Sequence, residues 1–463
     1  MNFSNISGSF RDPAGQVFEN DDRIFRIVKK QGKNRYESIV NKGILEDSIS
    51  NNFLIKTKEV NNEFKKYINE ENCYFLEHEK LDYISYPYEW GFYQLKDAAL
   101  HHLNYQIFLL KRGFELIDSS AYNIQFLNNK PIFIDVLSID EYKEGEYWKG
   151  HSQFLQQFLN PLLLSSHKGL QFNDWYKGNL NGIKTSELNE VLNLKDKFSL
   201  NIFLSVVLLS RLEKNNKIDP KKALAKIKNK NKFSKNSYTS MLLQLKNWII
   251  KLRPKEKKTI WDTYSSENTY KKEEEIKKLE VISKFSRENK PEILVDIGCN
   301  DGLYSFESLK AGAKKVIGFD IDINSIDRAY KFSQKNDLNF LPLYFDAMNP
   351  SSNLGWDEKE RSSFKERLHF DAMLALAFEH HLALANNVPL EQVVAWLMNV
   401  AKKGLIEFVD KEDETVKRML YLKGDIFPNY NKKNFEKNIL LKGKIINKTF
   451  ISATRTIYEY SKN

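Results

Sequence analysis

The chain is 463 residues long, 41% apolar and 13% aromatic, with 71 basic against 61 acidic side chains and a formal net charge of +10. That composition excludes a disordered chain and sets an expectation of about two to four domains, each able to bury a core. Two cysteines, Cys73 and Cys299, exclude a disulfide framework and a thiolate metal site. The opening Met1-Asn-Phe-Ser-Asn-Ile lacks the features of a secretory signal, and the longest apolar run, Ile202–Leu209, is too short for a bilayer span. A reducing cytoplasm is the expected setting.

Residues 1–185 open with a hairpin pattern, Gly15–Phe18 then Arg23–Val28, followed by a helix around Tyr36 and a second helix over Gln94–Lys111. Next come Asp118-Ser-Ser-Ala-Tyr-Asn123, a strand Asn123–Phe126, the turn Leu127–Lys130 and a strand Pro131–Asp135. An Asp, an Asn five positions on, then a hairpin closing on a second Asp resembles the catalytic loop of protein kinases. The resemblance implies that Asp118 orients a hydroxyl and that Asn123 and Asp135 hold Mg²⁺ beside ATP. Ser85-Tyr-Pro-Tyr-Glu-Trp90 lies where a hinge would be. Two features depart from the pattern: Leu116-Ile117 replaces the usual histidine-containing pair, and Gly8, Gly15 and Gly32 are too scattered for a phosphate-covering loop. Arg26 or Lys29 with Glu37 is the nearest match to a phosphate-pairing cation. An active kinase and a degenerate one both remain open readings, so Mg-ATP is a conditional cofactor.

Residues 186–258 read as a basic helical connector. Met241, Leu242, Leu245, Trp248, Ile249 and Leu252 recur at helical spacing, a stripe that suits packing on a neighbour better than a membrane surface. Lys221–Lys235 holds seven lysines and no acid. A solvated linker face explains the run more simply than contact with nucleic acid, an anionic glycan or membrane.

Residues 259–463 alternate strand and helix patterns from near Trp261–Tyr264 and a charged helix ending around Phe285. Ile293-Leu-Val-Asp-Ile-Gly-Cys-Asn-Asp-Gly302 is a strand that runs into an acid and two glycines, with a helix behind it. About 20 residues on, Lys315–Asp320 is a second strand ending in an acid, the spacing of nucleotide-binding βαβ units. Asn339–Asp346, Phe370–Ala377 and Gly404–Val409 continue the series, with a helix over Leu390–Val400. Two β-rich runs, Ile439–Ile446 and Thr454–Tyr460, close it. This arrangement resembles the class I S-adenosylmethionine (SAM) methyltransferases, with their Rossmann-like seven-stranded α/β sheet. The middle glycine of their Gly-x-Gly-x-Gly is Asn300 here, which suits a ligand without phosphates.

That resemblance implies a cofactor site at Asp296, Gly298, Cys299, Asn300, Gly302, Asp320, Ile321, Asp346, Ala347 and Leu376. Asp296 would hold the methionine ammonium, Asp320 the ribose hydroxyls and Asp346 the adenine amino group. The plain alternative is that each acid caps a strand end. Beyond the fourth strand lie Glu379, His380 and His381, the candidate catalytic residues. A histidine is well tuned to take a hydroxyl proton near neutral pH, and adjacent residues on a helix point about 100° apart, so one of the pair would face a substrate. A packed or capping pair is an equal reading. No third and fourth ligand accompanies Glu379-His380-His381, so no metal is expected.

Paired histidines, Asn386-Asn-Val-Pro389 and Glu407-Phe-Val409 further resemble a bacterial family of nodulation-protein-like methyltransferases. So do Lys411-Glu-Asp413, Asp425–Pro428, Ser85–Trp90 and Leu95-Lys-Asp-Ala-Ala99. The resemblance covers most of the chain and is weakest from about 170 to 258. It implies SAM-dependent methylation, O-methylation of a saccharide or glycoconjugate by analogy. A second reading is a bifunctional enzyme that phosphorylates and then methylates a glycan end, an architecture known in bacteria. A third makes the N-terminal domain a module recruiting a nucleic acid or protein partner; nucleic acid is the less favoured acceptor.

Overall fold

The computed structural model describes residues 4–20, 22–214, 234–255 and 272–462. Nearly all of the lysine run and the whole Trp261–Tyr264 segment lie outside them. The chain divides into two compact units. One comprises residues 1–127, 131–257 and 353–361; the other comprises 128–130, 258–352 and 362–463.

The first unit begins with strands β1 (Ser4–Asn5), β2 (Gly15–Asn20), β3 (Arg23–Lys29), β4 (Thr57–Glu59) and β5 (Asn72–His78), in the antiparallel order β1-β2-β3-β5-β4. Alternation puts Phe18, Phe25 and Phe75 on one face, where they close over Val60 and Phe64 as a small aromatic core. The helix Lys30–Asn41 follows β3 directly. The helix Phe92–Lys111 buries residues on most of its circumference, consistent with a central position. Behind it come β6 (Phe114–Leu116), the hairpin β7 (Ile124–Leu127) and β8 (Lys130–Phe133), and β9 (Ile139–Glu141), which pairs with β6. Described helices follow between His151 and Lys214, and again over Lys235–Lys251.

The amphipathic helix of this region spans Lys235–Lys251 and buries Tyr238, Leu242, Leu245 and Ile249. Its stripe packs within the unit, as the Tyr238 hydroxyl, which accepts from Gln106 at 2.8 Å, and Lys96, which donates to the Ile250 carbonyl at 2.7 Å, both show. The membrane alternative for this stripe is thereby removed.

The second unit is a mixed seven-stranded sheet. Its strands are β10 (Ile293–Ile297), β11 (Lys315–Asp320), β12 (Phe340–Tyr344), β13 (Ala372–Ala375), β14 (Lys403–Val409), β15 (Gly443–Phe450) and β16 (Arg455–Lys462). The order is β12-β11-β10-β13-β14-β16-β15, with the first five parallel and β16 antiparallel to both neighbours. Strand order reverses between β10 and β13, so ligands are expected beyond the C-terminal ends of those strands. One boundary differs from the sequence expectation. Ile439 lies in the helix Lys432–Leu440, and the strand starts only at Gly443. The Asn431 side chain caps that helix by accepting the Asn434 N–H at 2.9 Å, and Phe435 and Ile439 share its buried face. No described helix is long and apolar enough to cross a membrane.

Candidate active site

The glycine turn after β10 is laced to the end of β11. Gly298 and Cys299 both donate backbone N–H groups to the Phe319 carbonyl, at 2.8 and 3.1 Å. Gly298 has φ +79°, and a Cβ there would stand 2.9 Å from the Phe378 ring, so both conformation and space require glycine. Gly302 has φ +88°, and a Cβ there would meet Phe340 at 2.7 Å. Asn300 also adopts positive φ, +48°, which asparagine tolerates. Its N–H donates to Asp320 Oδ2 at 2.8 Å while the Asp322 N–H donates to Oδ1 at 2.8 Å. Two backbone amides therefore orient the Asp320 carboxylate at the mouth of the turn.

Asp296 is buried and accepts the Ser305 hydroxyl at 2.7 Å. Burial pushes the Asp296 carboxyl up to about 7 and Asp320 up to about 6. Ile321 is exposed beside Asp320. Asp346 lies two residues beyond β12, where its side chain accepts the Met348 N–H at 2.8 Å and caps a turn next to Ala347. Leu376 packs into the hydrophobic core of the unit, and burial pushes the Cys299 thiol well up. Of the sequence candidates, the structure thus gathers Asp296, Gly298, Asn300, Gly302 and Asp320 around one turn. It gives Asp346 a local capping task and Leu376 a packing one.

Beyond β13 the chain turns through Ala377, whose φ of +50° is strained for a residue with a Cβ, at a cost of about 1–3 kcal/mol. The turn delivers Glu379, His380 and His381 into a short π-helical segment, His381–Ala385. The two imidazoles lie 4.2 Å apart, centre to centre. His380 is fully buried, and neither ring nitrogen has a hydrogen-bond partner among the described residues. Burial, with His381 and Arg455 nearby, holds His380 well below the usual histidine range, and burial brings His381 down to about 4. Both shifts favour the neutral imidazole.

Glu379 accepts the Val409 N–H at 2.8 Å, and the Tyr430 hydroxyl lies 3.0 Å from each of its oxygens. Close by, Lys278 donates to Glu407 at 2.7 Å, with both side chains buried, and Arg455 grips Asp413 at 2.7 and 3.0 Å. Sequence reasoning missed Tyr430 and this ion network, because their partners are remote in the chain, and Ser305, nine residues from Asp296, because no motif announces it.

In the first unit, Asp118, Asn123 and Asp135 come together. Asn123 Nδ2 donates to Asp118 Oδ2 at 3.2 Å and approaches Ser138 Oγ at 3.5 Å, while Ser138 donates to Asp135 Oδ2 at 2.5 Å. Burial and the Asp135 charge push the Asp118 carboxyl up. Gln153 and Gln157 hold the intervening loop by accepting the Ser119 and Ala121 N–H groups, both at 2.8 Å. Of the two alternatives, Arg26 or Lys29 with Glu37, the Arg26 one is not formed. Arg26 Nη1 instead reaches Asp135 Oδ1 at 2.6 Å and Asp12 at 3.4 Å, and Glu37 accepts from Tyr74 at 2.6 Å. Among the described residues, no cluster of three or more His, Cys, Asp or Glu side chains is arranged to hold a metal ion.

A mixed sheet with a glycine turn and strand-end acids at its switch point is an arrangement that suits the methyltransferase class. Consistent with this, residues 276–352 match the family model of ribosomal protein L11 methyltransferase. The chain belongs to the family of nodulation protein NoeA: it is 40% identical to NoeA of Rhizobium meliloti (strain 1021) over 460 residues, 99% of this chain and 96% of that protein. The L11 methyltransferase of Hamiltonella defensa is 36% identical over 75 residues, 16% of this chain and 24% of that enzyme. Among solved structures, the PH0226 protein of Pyrococcus horikoshii OT3 aligns with 44% of this chain and 97% of its own, at 17% identity and a TM-score of 0.32. The bifunctional kinase-methyltransferase WbdD aligns with 46% and 45% respectively, at 16% identity and a TM-score of 0.30.

Proposed function

We propose that the second unit transfers a methyl group from SAM to a hydroxyl of a saccharide or glycoconjugate. The observation that supports it most is the pair of strand-end carboxylates, Asp296 and Asp320, set around a left-handed glycine turn at the sheet's switch point. The residues suit the cofactor: Asp320, held by two backbone amides, would accept from the ribose hydroxyls, and Asp296 would offer a buried charge partner for the ammonium. SAM would supply an electrophilic methyl group, whose transfer is an in-line displacement. This chain's residues would orient the acceptor and receive its proton at a neutral imidazole, His380 or His381. The need for a base favours a hydroxyl acceptor, and the saccharide class rests on analogy. A cytoplasmic setting belongs to the same proposal. Incubation of the full chain with labelled SAM and fractionated cell extract tests it. Label should appear in a carbohydrate fraction; label confined to protein or RNA would refute the acceptor class.

A second reading concerns the first unit. The convergence of Asp118, Asn123 and Asp135 supports a kinase-like site for Mg-ATP, whereas the Arg26 ion pair on Asp135 occupies an oxygen that a metal would need. Thermal-shift titration with Mg·ATP discriminates between them. A shift abolished by Asp135→Asn indicates a working site, and its absence indicates a scaffold.

A further inference from the structure

The surroundings of Glu379 carry an inference that rests on the proposed methyl transfer only for its catalytic consequence. The Tyr430 hydroxyl oxygen lies 2.6 Å from the Val409 carbonyl oxygen and 3.0 Å from both Glu379 oxygens. The Val409 N–H donates back to Glu379 Oε1 at 2.8 Å. A phenol has one proton, and the shortest of these contacts claims it for the Val409 carbonyl. If Glu379 were ionised, its contact with the phenol would be oxygen against oxygen with no proton between them, in a site closed to water. If Glu379 carries a proton, the count closes: Glu379 donates to Tyr430, Tyr430 donates to the Val409 carbonyl, and the Val409 N–H donates to Glu379.

The neighbouring charges agree. Among the described residues, Lys278 and Arg455 are buried cations here, and Glu407 and Asp413 are anions paired with them. A third anion at Glu379 would leave an unmatched buried charge. We propose that Glu379 is a neutral carboxyl that serves as a positioning residue, clamping the turn that carries His380 and His381 to the end of β14. It is not a catalytic acid, and it touches no reacting atom.

The pH behaviour follows. The groups facing Glu379 are Tyr430 before the last helix, Glu407 on β14 and Arg455 on β16, while Asp410 and Asp413 lie near Tyr430 and the neutral His380 and His381 follow in the chain. Burial, the largest influence, raises the Glu379 carboxyl to about 8. The folded chain holds this proton more tightly than the unfolded one. Its contribution to stability is therefore complete below the ordinary glutamate range and is lost as pH rises towards about 8. Glu379→Gln keeps the clamp, because an amide donates and accepts in the same places without titrating. Glu379→Ala removes it.

The test uses the full chain and three readouts. Infrared difference spectra of wild type minus Glu379→Gln should show a protonated-carboxyl band that disappears above about pH 8. In histidine-labelled protein, the ring-nitrogen resonances of the histidine pair should be preserved in the glutamine variant and displaced in the alanine variant. With any extract fraction that accepts label, the glutamine variant should stay within about twofold of wild type and keep its rate above pH 8. The alanine variant should lose about tenfold or more in kcat with SAM affinity unchanged. Absence of the band, or a glutamine variant as disturbed as the alanine one, overturns the proposal. A wild type that transfers no label, with spectra and resonances as expected, refutes the methyl-transfer reading and leaves the neutral clamp standing.

Discussion

The two units present acids in opposite ways. In the second unit, Asp320 is held by the amides of Asn300 and Asp322, and Asp296 by a serine hydroxyl. In the first unit, Asp135 is held by a guanidinium, at 2.6 Å, and by Ser138. Amides orient a carboxylate without cancelling its charge, so it remains able to attract a cationic or hydroxyl-bearing ligand. A guanidinium cancels it, and an incoming metal must first displace the arginine. Two sets of residues with equally suggestive spacing in the sequence thus differ in what they are free to do.

The largest effect expected concerns the buried ions that frame the second unit's site. Lys278→Ala leaves buried Glu407 with only the more distant Arg455, at 3.7 Å, and should lower stability by about 3–5 kcal/mol in denaturant unfolding, far more than loss of an exposed pair such as Lys42–Glu141. Next is turnover. Alanine at His380 or His381 should reduce kcat by about 10²–10⁴ for whichever imidazole takes the proton, with cofactor affinity intact in calorimetry. Full activity in both variants would move proton removal elsewhere. Asp320→Ala should weaken SAM binding by about 1–3 kcal/mol, and unchanged affinity would remove Asp320 from the ribose role.

The same pair of acids carries a pH dependence. Asp296 and Asp320 are raised to about 7 and about 6, so they lose their protons as pH rises through that window. Affinity for a cationic cofactor should therefore increase from pH 5 to pH 8, as the charged forms accumulate. The smallest effect sharpens the contrast directly. Arg26→Gln frees Asp135 and should increase any thermal shift caused by Mg·ATP. No change would show that the arginine is not what limits metal access.

The parallel strands of the second unit were legible because each is a short, mostly apolar run, and β10, β11, β12 and β14 lead into an acid or a glycine at their C-terminal ends. Asp296 and Asp320 became candidates by the same logic, since strand ends are where such sheets hold ligands. The first unit's Asp118, Asn123 and Asp135 were legible from a short-range pattern, because a two-residue turn at Asn128-Asn129 brings the hairpin ends level. What stayed hidden was long-range. Nothing local distinguishes Arg26 as the partner of Asp135, and nothing links Glu379 to Tyr430. The sequence suggested Glu379 as catalytic because its carboxyl stands next to two histidines; its contacts with Tyr430 and Val409 support the positioning role proposed above.

The placement of β16 has a consequence for how the second unit is assembled. This strand is the last of its sheet in sequence, yet it sits between β14 and β15 and brings Arg455 to Asp413 and Glu407. Until it arrives, β14 has an open edge and Glu407 faces Lys278 alone, and β15 has no neighbour in the sheet. During synthesis the parallel half can form early, but the sheet closes only after residues 455–462 have emerged. The intermediate before that point exposes unpaired strand edges, the condition in which nascent chains recruit holdases or aggregate. Refolding should accordingly show a late phase sensitive to substitutions in β16 and indifferent to those in β10 and β11.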